Sequence, residues 1–392
     1  MEKKIKLGII GIGNMGKGHS KNIIDGKCPS VSLAAIADID PAKLEWAKEN
    51  LPDSVAHFDN AIAMLDSGLI DACLIAVPHY DHPLYAKECF KRGIHVMTEK
   101  PAGVYTSQVR EMNEAAKKAN VKFAIMFNQR TDPLYARAHE IVKSGQLGNL
   151  KRMVWIITNW YRTQAYYDSG TWRGTWNGEG GGVLLNQAPH NLDLWQWICG
   201  MPKSITANCT IGKYHNIGVE DDVTIQAEYE NGMSATFITT TGETPGTNRL
   251  EISGELGKIV VEEGKLRYWK LDRNERDICA NEQNGFYSST PEYSEYVEEV
   301  VPGHPMVLEN FAQAILNGAE LIAPGEEGIN SLTISNAAYL STWEGKTITL
   351  PIDEAAFEKH LDELRKHEDA RKNGVSRKED DESCAERWKV RW

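Results

Sequence analysis

The sequence contains few features of a secreted or metal-binding protein. Its seven cysteines are scattered through the 392 residues, and no two have C-x-x-C spacing. An odd number with such spacing disfavours a disulfide framework and a zinc site, so we expect reduced thiols, no bound metal and a cytoplasmic protein. Basic residues are outnumbered by acidic ones, since the sequence has 43 Lys and Arg and 55 Asp and Glu, which gives a net charge of −12. Nucleic acids and anionic membranes bind basic surfaces, so neither is expected as a partner.

Long apolar runs are missing as well. No segment approaches the roughly 20 apolar residues of a membrane span. The apolar N-terminal run is interrupted by Gly8, Gly11 and Gly13 and lacks a small-residue cleavage pattern, which indicates a first strand and not a signal peptide. We find neither internal repeats nor a low-complexity linker. These absences favour a globular chain, long enough for two domains, whose partner is a small molecule.

A glycine motif follows the first predicted strand, residues 5–10, and precedes a predicted helix over 17–24. It consists of Gly11, Ile12, Gly13, Asn14, Met15 and Gly16. In this context glycines permit a tight turn and close approach of a pyrophosphate, which the helix N-terminus binds. These residues are therefore predicted to bind a dinucleotide.

Asp38 ends the second predicted strand, residues 31–37, where a carboxylate can accept hydrogen bonds from the adenosine ribose. No Lys or Arg follows before Lys43, so NAD is favoured over NADP. The alternative is that Asp38 only caps the helix that starts at Pro41, a role that Asp40 could fill equally well.

Strands and helices alternate to Phe127, which predicts a doubly wound parallel sheet. Ligands bind beyond the carboxyl ends of such strands, so residues there are candidates for the site. Pro78, His82, Glu99 and Lys100 are predicted to contact the cofactor, and Asn128 and Arg130 the substrate. A partly buried Lys100 would have a lowered pKa and could carry a proton, whereas a surface lysine before a turn proline is the alternative.

From Lys151 onward the pattern changes to consecutive strands joined by short turns. This predicts a second, α+β domain with a large, open, mostly antiparallel sheet that another subunit could cover, giving a homodimer or homotetramer. We expect a Rossmann domain over 1–127, a substrate and oligomerisation domain over 128–351 and a charged tail over 352–392. Helices within 304–340 are expected to pack back on the first domain.

The tail has one amphipathic piece, carried by Phe357, Leu361 and Leu364, that is a candidate for docking on the body or on a partner subunit. Residues 371–386 are expected to be solvated, with Trp388 and Trp392 as candidates for packing against the protein.

A glycine run at 180–182 leads into Asn186, His190 and Asp193, which would share one face if a helix were already wound at Asn186. Pro189 weakens this spacing argument, because proline is tolerated only in a first turn or at a kink. The alternative is an exposed polar face. Seven aromatic residues precede the run, and rings interleaved with polar residues suit a sugar, although core packing would explain some of them. They are Trp155, Trp160, Tyr161, Tyr166, Tyr167, Trp172 and Trp176.

Together the glycine motif, Ala37-Asp38, Glu99-Lys100-Pro101, Trp172-Arg173 and the stretch from Gly180 to Asp193 resemble the Gfo/Idh/MocA oxidoreductases over residues 5 to 351. The resemblance implies a Rossmann domain, an open-faced α/β domain, NAD(P)-dependent sugar or cyclitol oxidation and reduction, and dimers or tetramers. It also implies that Lys100 and His190 are the catalytic pair. Asn186 occupies a position that often holds Asp in the family, which leaves proton transfer to His190 and Lys100.

The expected reaction moves a hydride between the nicotinamide and a secondary hydroxyl of a sugar, glycoside or cyclitol. Trp172 and Arg173 are expected to hold the cofactor's carboxamide or pyrophosphate end. The residues expected to bind the substrate are Asn128, Arg130, Tyr161, Tyr167 and Asp193. Asn186 is expected to join Lys100 and His190 as a catalytic residue that orients the substrate or His190. Two alternatives are an NAD-dependent glycosidase that oxidises its sugar transiently and a non-catalytic sugar and NAD sensor.

Overall fold

The structure is a computed structural model that describes residues 3–298 and 303–368. The expectations about residues 371–386, Trp388 and Trp392 fall outside the described residues. Within them, no helix has the length and apolar character needed to cross a membrane. The chain divides into two compact units, one from residues up to 131 together with 302–332, the other from 132–301 together with residues from 333 onward.

The first unit contains a six-stranded parallel sheet in the order β3-β2-β1-β4-β5-β6. Its strands are β1 (Ile5–Ile10), β2 (Val31–Ala37), β3 (Ala56–Phe58), β4 (Ala72–Ile75), β5 (His95–Thr98) and β6 (Phe123–Ile125). Its first five helices are α1 (Asn14–Ile24), α2 (Pro41–Asn50), α3 (Ala61–Asp66), α4 (His82–Lys91) and α5 (Thr106–Ala119). This is the strand order of a dinucleotide-binding fold, and the predicted parallel sheet is confirmed.

The second unit contains a nine-stranded sheet in the order β14-β13-β12-β11-β7-β10-β9-β8-β15. Its strands are β7 (Leu150–Ile157), β8 (Ser204–Ile211), β9 (Glu220–Glu228), β10 (Ser234–Thr240), β11 (Asn248–Gly254), β12 (Gly257–Glu262), β13 (Lys265–Lys270), β14 (Glu292–Val297) and β15 (Ile348–Thr349). Only β7 and β10 pair in parallel among these strands, so the predicted mostly antiparallel sheet is confirmed.

Eight further helices complete the described chain. They are α6 (Pro133–Lys143), α7 (Gln164–Asp168), α8 (Val183–Asn186), α9 (Pro189–Cys199), α10 (Glu275–Asn281), α11 (His304–Asn317), α12 (Gly328–Glu344) and α13 (Glu354–His367). Helix α11 belongs to the first unit, where Val307, Leu308 and Phe311 join the core around β1. The division between units falls within α12, after Leu332. The predicted domain boundaries themselves stay predictions.

The sequence did not predict β3, α3 or β14. With three residues, Ala56–Phe58, β3 is too short to show the apolar run or the alternation over about four to eight residues that identifies a strand. In β14 the side chains are exposed or half-buried, because it is the edge strand of its sheet. Short or peripheral strands carry a weak local signal and are fixed by pairing with their neighbours.

The possibility of one helix running through Asn186, His190 and Asp193 is wrong. Helix α8 ends at Asn186 and α9 starts at Pro189, with Ala188 as its N-cap residue. Proline is tolerated in the first helical turn because its missing N–H has no partner to lose there. Asn186 therefore lies on a separate short helix, and only His190 and Asp193 share α9.

Candidate active site

The glycine loop of the first unit has the shape that a dinucleotide needs. Gly11 has φ +92°, and a Cβ there would lie 2.5 Å from the carbonyl oxygen of Ala76, while a Cβ on Gly16 would collide with the carbonyl oxygen of Gly11. Gly13, the N-cap residue of α1, differs because a Cβ there would meet no atom within 4 Å. Two glycines are thus required by the loop itself, and Gly13 leaves an open approach to the helix N-terminus. The loop fits a pyrophosphate.

Asp38 is bonded to this loop from the end of β2. Its carboxylate accepts hydrogen bonds from the backbone N–H of Ile12, at 2.6 Å, and of Asp40, at 2.9 Å. Asp40 caps α2 by accepting from the N–H of Ala42, so the capping role is filled without Asp38. Each oxygen of Asp38 keeps further acceptor capacity, and ribose binding remains the prediction for this half-buried carboxylate.

His82 connects the loops that follow β4 and β5. Its Nδ1 lies 2.7 Å from the carbonyl oxygen of Pro101, and its Nε2 lies 2.8 Å from that of Val77. Both ring nitrogens of this buried residue are therefore engaged by backbone, which suits a positioning role beside Lys100. Direct cofactor contacts by His82 and by the exposed Pro78 stay predictions.

A buried cluster of ionisable groups lies under Lys100. The Glu99 carboxylate is 2.7 Å from Nε2 of His19, and its other oxygen accepts from the backbone N–H of Lys100 at 3.3 Å. The ring of His304 packs edge-on against His19, with 5.4 Å between centroids. Burial alone would raise the pKa of Glu99, but the hydrogen bond and charge of His19, with His304 and Lys100, lower it to about 2. Burial, with His19, lowers the pKa of His304 to about 4.

Neither His19 nor His304 was predicted from the sequence. His19 did carry a local signal, because it falls with Gly16, Ser20 and Ile23 on the buried face of α1, where a histidine requires a polar partner. His304 carried no such local signal, since its neighbours in the cluster are distant in sequence. Lys100 itself is half-buried at the end of β5, as its predicted role requires.

Asn128 and Arg130 lie in a short 3-10 segment after β6, and both are buried. The Arg130 guanidinium forms an ion pair with Glu327 at 2.7 Å and donates to the carbonyl oxygen of Ile322 at 3.1 Å. These contacts fix the arginine within the first unit. Substrate binding by the two residues stays a prediction.

In the second unit the glycine run is held by Glu220 of β9. The Glu220 carboxylate accepts from the backbone N–H of Gly182 and Leu184, at 2.8 and 2.9 Å, and from the Tyr339 hydroxyl at 2.8 Å. A Cβ on Gly181 would collide with that hydroxyl, and a Cβ on Gly182 with the backbone carbonyl of Glu220. Burial raises the pKa of Glu220 to about 7 against these hydrogen bonds. The run is therefore needed for close packing directly before α8.

Asn186 and Arg173 meet at the hydroxyl of Tyr166. The Asn186 Nδ2 donates to it at 3.1 Å and the Arg173 Nη1 at 2.7 Å. The Arg173 guanidinium also lies over the rings of Tyr166 and Trp172, at 4.4 and 4.7 Å from their centroids. The structure thus brings Asn186 and Arg173, both singled out in the sequence, together at Tyr166, and Arg173 also contacts Trp172.

His190 and Asp193 are both buried in the first turns of α9, where Asp193 accepts from Nε2 of Gln196 at 3.0 Å. Their roles stay predictions. Of the predicted aromatic residues, Tyr161 and Trp172 are 44% and 37% exposed and Tyr166 is half-buried. The other four are core residues, as one reading of the sequence allowed; they are Trp155, Trp160, Tyr167 and Trp176.

Tyr167 is a further predicted substrate contact whose side chain is enclosed by protein, and substrate binding by it stays a prediction. It is 1% exposed, and its hydroxyl lies 2.8 Å from that of Thr241. Burial raises its pKa despite this hydrogen bond. The ring packs between Tyr166 and His215, so its observed role is to support the loop that carries Tyr166.

The amphipathic piece of the predicted tail is helix α13, which docks on the second unit. Phe357 and Leu361 are fully buried, with Phe357 stacked 5.5 Å from the ring of Trp343. Just after the helix, the Glu368 carboxylate accepts from the backbone N–H groups of Trp176 and Asn177, at 2.7 and 2.8 Å. The end of α13 therefore holds the loop that follows Trp172 and Arg173.

Two open cavities of the second unit, of about 420 and 290 Å³, lie elsewhere on its sheet. Lys258 and Trp269 line the larger one, and Tyr135 and Asn159 line the smaller one. Neither is lined by a predicted site residue. Among residues 3–298 and 303–368 no group of three His, Cys, Asp or Glu side chains is arranged to hold a metal ion.

Comparison with known families agrees with this geometry. Residues 5–127 match the family model described as an oxidoreductase family with an NAD-binding Rossmann fold, and residues 135–260 match the GFO/IDH/MocA C-terminal domain. Together the two models match more than half of the chain. The chain belongs to the Gfo/Idh/MocA family of oxidoreductases.

Its relatives include enzymes that act on different small molecules. The chain is 24% identical to an inositol 2-dehydrogenase from Rhizobium meliloti (strain 1021) over 88% of its own length and 99% of that protein. It is 26% identical to the WlbA dehydrogenase from Bordetella pertussis, solved with NADH and UDP-GlcNAcA, with TM-score 0.75 and coverage of 90% and 100%. A levoglucosan dehydrogenase solved with NADH and levoglucosan shares the fold, at 19% identity, TM-score 0.74 and coverage of 89% and 100%.

These matches confirm three predictions: the family, an NAD-dependent enzyme and the two-sheet architecture. They do not test individual residues. The roles of Lys100, His190, Asn186 and the predicted binding residues are therefore taken up as proposals.

Proposed function

We propose that this chain oxidises a secondary hydroxyl of a sugar, glycoside or cyclitol, or reduces the corresponding ketone, with NAD in preference to NADP. The observation that supports this most is the first unit's arrangement. Lys100 follows β5 and the glycine loop follows β1, so both lie at the carboxyl edge of one parallel sheet, where ligands bind in this fold. The named activities of the inositol and WlbA relatives favour hydroxyl-rich substrates.

The loop residues would hold the dinucleotide: Gly11, Gly13 and Gly16 its pyrophosphate, with Asn14 and Met15 in the first turn of α1, and Asp38 its ribose. Trp172 and Arg173 would contact its other end. When bound, NAD supplies the acceptor for a hydride from the carbinol carbon.

His190 takes the hydroxyl proton in the proposed reaction, while Lys100 hydrogen-bonds the same oxygen and stabilises the negative charge that develops on it. The two roles are interchangeable. Breaking the O–H and C–H bonds in this way gives a ketone, a reduced cofactor and one proton. Asn186 and Asp193 orient the substrate or His190, and Asn128, Arg130 and Tyr161 contact its other hydroxyls. A homodimer or homotetramer through the nine-stranded sheet and a cytoplasmic location remain our expectations.

The test is a panel of substrates with either NAD or NADP. It includes myo- and scyllo-inositol, free hexoses, levoglucosan, nucleotide-linked uronates and aryl glycosides. We expect absorbance of the reduced cofactor with at least one cyclitol or sugar, and a higher kcat/KM with NAD. Release of the aryl group without net reduced cofactor would instead identify a glycosidase. Binding of sugar and NAD without either product would identify a sensor, and each of these outcomes contradicts the proposal.

A further inference from the structure

Asn186 contacts an acidic residue that the proposed reaction does not yet use. The Asn186 Nδ2 donates to the Glu179 carboxylate through Oε1 and to the Tyr166 hydroxyl at 3.1 Å. The other Glu179 oxygen accepts from the backbone N–H of Gly174 at 2.6 Å. Glu179 is buried and lies in the loop directly before the glycine run. Its carboxylate is therefore fixed at both oxygens.

These contacts determine which way the Asn186 amide faces. An ionised carboxylate only accepts hydrogen bonds, so the NH₂ side of the amide must face Glu179. The two N–H groups of Asn186 match the two acceptors, Glu179 and Tyr166. Arg173 and Gln187 also donate to the Tyr166 hydroxyl, at 2.7 and 3.3 Å, which makes its oxygen an acceptor for these side chains. The amide oxygen Oδ1 is consequently turned away from Glu179.

We propose that Glu179 is a positioning residue that holds the Asn186 amide with its N–H groups facing Glu179 and Tyr166, so that Oδ1 accepts a hydrogen bond from a substrate hydroxyl. The inference rests on the proposed function. It also narrows the substrate class, because an acceptor at this point requires a donor, which a free hydroxyl provides and an ether or ester oxygen does not.

A reversed amide would fail at Glu179, because its oxygen would face the carboxylate, acceptor against acceptor. On the substrate side its N–H groups would donate equally well to a hydroxyl, an ether or an ester oxygen, so the selection for a hydroxyl would be lost. Recognition of a hydroxyl by buried polar groups depends on this match, since a mismatched group is left unpaired. Glu179 thus acts on specificity through Asn186, without touching the substrate.

The experiment exchanges the positions of the Asn186 amide and the Glu179 carboxylate. Asn186→Asp places a second carboxylate against Glu179, and Glu179→Gln removes the carboxylate that orients the amide. The double variant Glu179→Gln with Asn186→Asp restores one amide facing one carboxylate. With the best substrate of the panel and NAD, we expect each single variant to lose about tenfold or more in kcat/KM, and the double variant to recover to within about threefold of wild type.

Glu368→Gln is the matched control. Glu368 is another carboxylate bonded to the same loop, through Trp176 and Asn177, but its hydrogen bonds do not include Asn186. Combined with Asn186→Asp it should show additive losses. Equal rescue by Glu368→Gln would mean that any removed negative charge relieves the loop, and would overturn the proposal.

The pH profile separates positioning from a structural role, and thermal unfolding reports on the contact itself. In Asn186→Asp the facing carboxylates, near Arg173 and Tyr166, must share a proton, so the ratio of its kcat/KM to that of wild type should rise as pH falls, whereas the double variant should lose this dependence. Thermal unfolding of the NAD-free protein should show the same pairwise rescue.

The outcomes distinguish the two proposals. An active wild type whose double variant is no better than the single variants, in kcat/KM and in unfolding temperature, overturns the role of Glu179. A wild type that reduces no cofactor with any member of the panel overturns the proposed function, and the role of Glu179 with it.

Discussion

Each of the two units contains a buried glutamate, Glu99 in the first and Glu220 in the second, and the surroundings shift the two pKa values in opposite directions. In the first unit Glu99 faces His19, with His304 and Lys100 nearby, and its pKa falls to about 2. In the second unit Glu220 faces two backbone N–H groups and the Tyr339 hydroxyl, and burial raises its pKa to about 7. The difference lies in the partners, because ionisable neighbours offset desolvation where neutral donors do not.

The contrast fits what each glutamate supports. Glu99 lies beside Lys100, a group that is proposed to stabilise negative charge on the substrate, and stays ionised across the physiological range. Glu220 holds Gly182 and Leu184 through hydrogen bonds that either protonation state can accept in part. The first unit keeps a fixed charge beside Lys100, where the chemistry is proposed to occur, and the second unit uses a carboxyl group mainly to shape the backbone.

The largest difference in stability is expected between alanine substitutions of one glycine in each unit. Gly182→Ala forces a Cβ into the carbonyl of Glu220, so we expect a loss of about 3 kcal/mol in the free energy of unfolding. Gly13→Ala meets no atom within 4 Å and should change the free energy of unfolding by less than about 1 kcal/mol. Because the absence of a side chain at Gly13 leaves space for the pyrophosphate in the proposed site, Gly13→Ala should instead weaken NADH binding by about tenfold or more.

Urea unfolding and NADH fluorescence titration of both variants measure these effects. The comparison fails if Gly13→Ala unfolds as readily as Gly182→Ala, or if it binds NADH like wild type.

A smaller effect is a pH dependence of stability, which should have opposite signs for Glu220 of the second unit and His304 of the first. A carboxyl group titrates near 4.5 when unfolded, so the raised pKa of Glu220 contributes stability that is present below pH 4.5 and is lost as pH rises through about 7. His304 titrates near 6.5 when unfolded, and its lowered pKa contributes stability that is present above pH 6.5 and is lost as pH falls through about 4. Each contribution changes by up to about 1.4 kcal/mol per pH unit.

Unfolding free energies of wild type, Glu220→Gln and His304→Gln between pH 4.5 and 7.5 test this. Relative to wild type, Glu220→Gln should become more stable as pH rises, and His304→Gln should become more stable as pH falls. Parallel curves for all three proteins would contradict the assignment of the two groups.

The local sequence was sufficient to predict where the candidate site residues at the strand ends of the first unit lie. Residues 11–16 and Asp38 belong to two adjacent strand ends of a regular parallel sheet, so a short motif with its flanking strands defines their geometry. The same holds for Lys100, which follows a buried strand directly. The alternation of strands and helices was likewise enough to predict the parallel sheet.

Other features depend on contacts that the sequence pattern does not reveal. His19 and Glu99 are 80 residues apart, and Glu220 lies 38 residues beyond Gly182. The orientation of Asn186 depends on a break between α8 and α9 and on Glu179, whose role follows only from the folded loop. Periodicity could not distinguish the exposed aromatic residues Tyr161 and Trp172 from core residues such as Tyr167, because both kinds share one stretch.

The most direct test of the proposed chemistry compares Lys100→Ala with the exposed-lysine control Lys91→Ala. Turnover with the best substrate and NAD, and NADH binding by fluorescence titration, are measured on the same preparations. We predict that Lys100→Ala lowers kcat by about 10² to 10⁴ while its NADH affinity stays within about threefold of wild type, and that Lys91→Ala changes neither. Turnover by Lys100→Ala equal to that of wild type would contradict the central role assigned to this lysine.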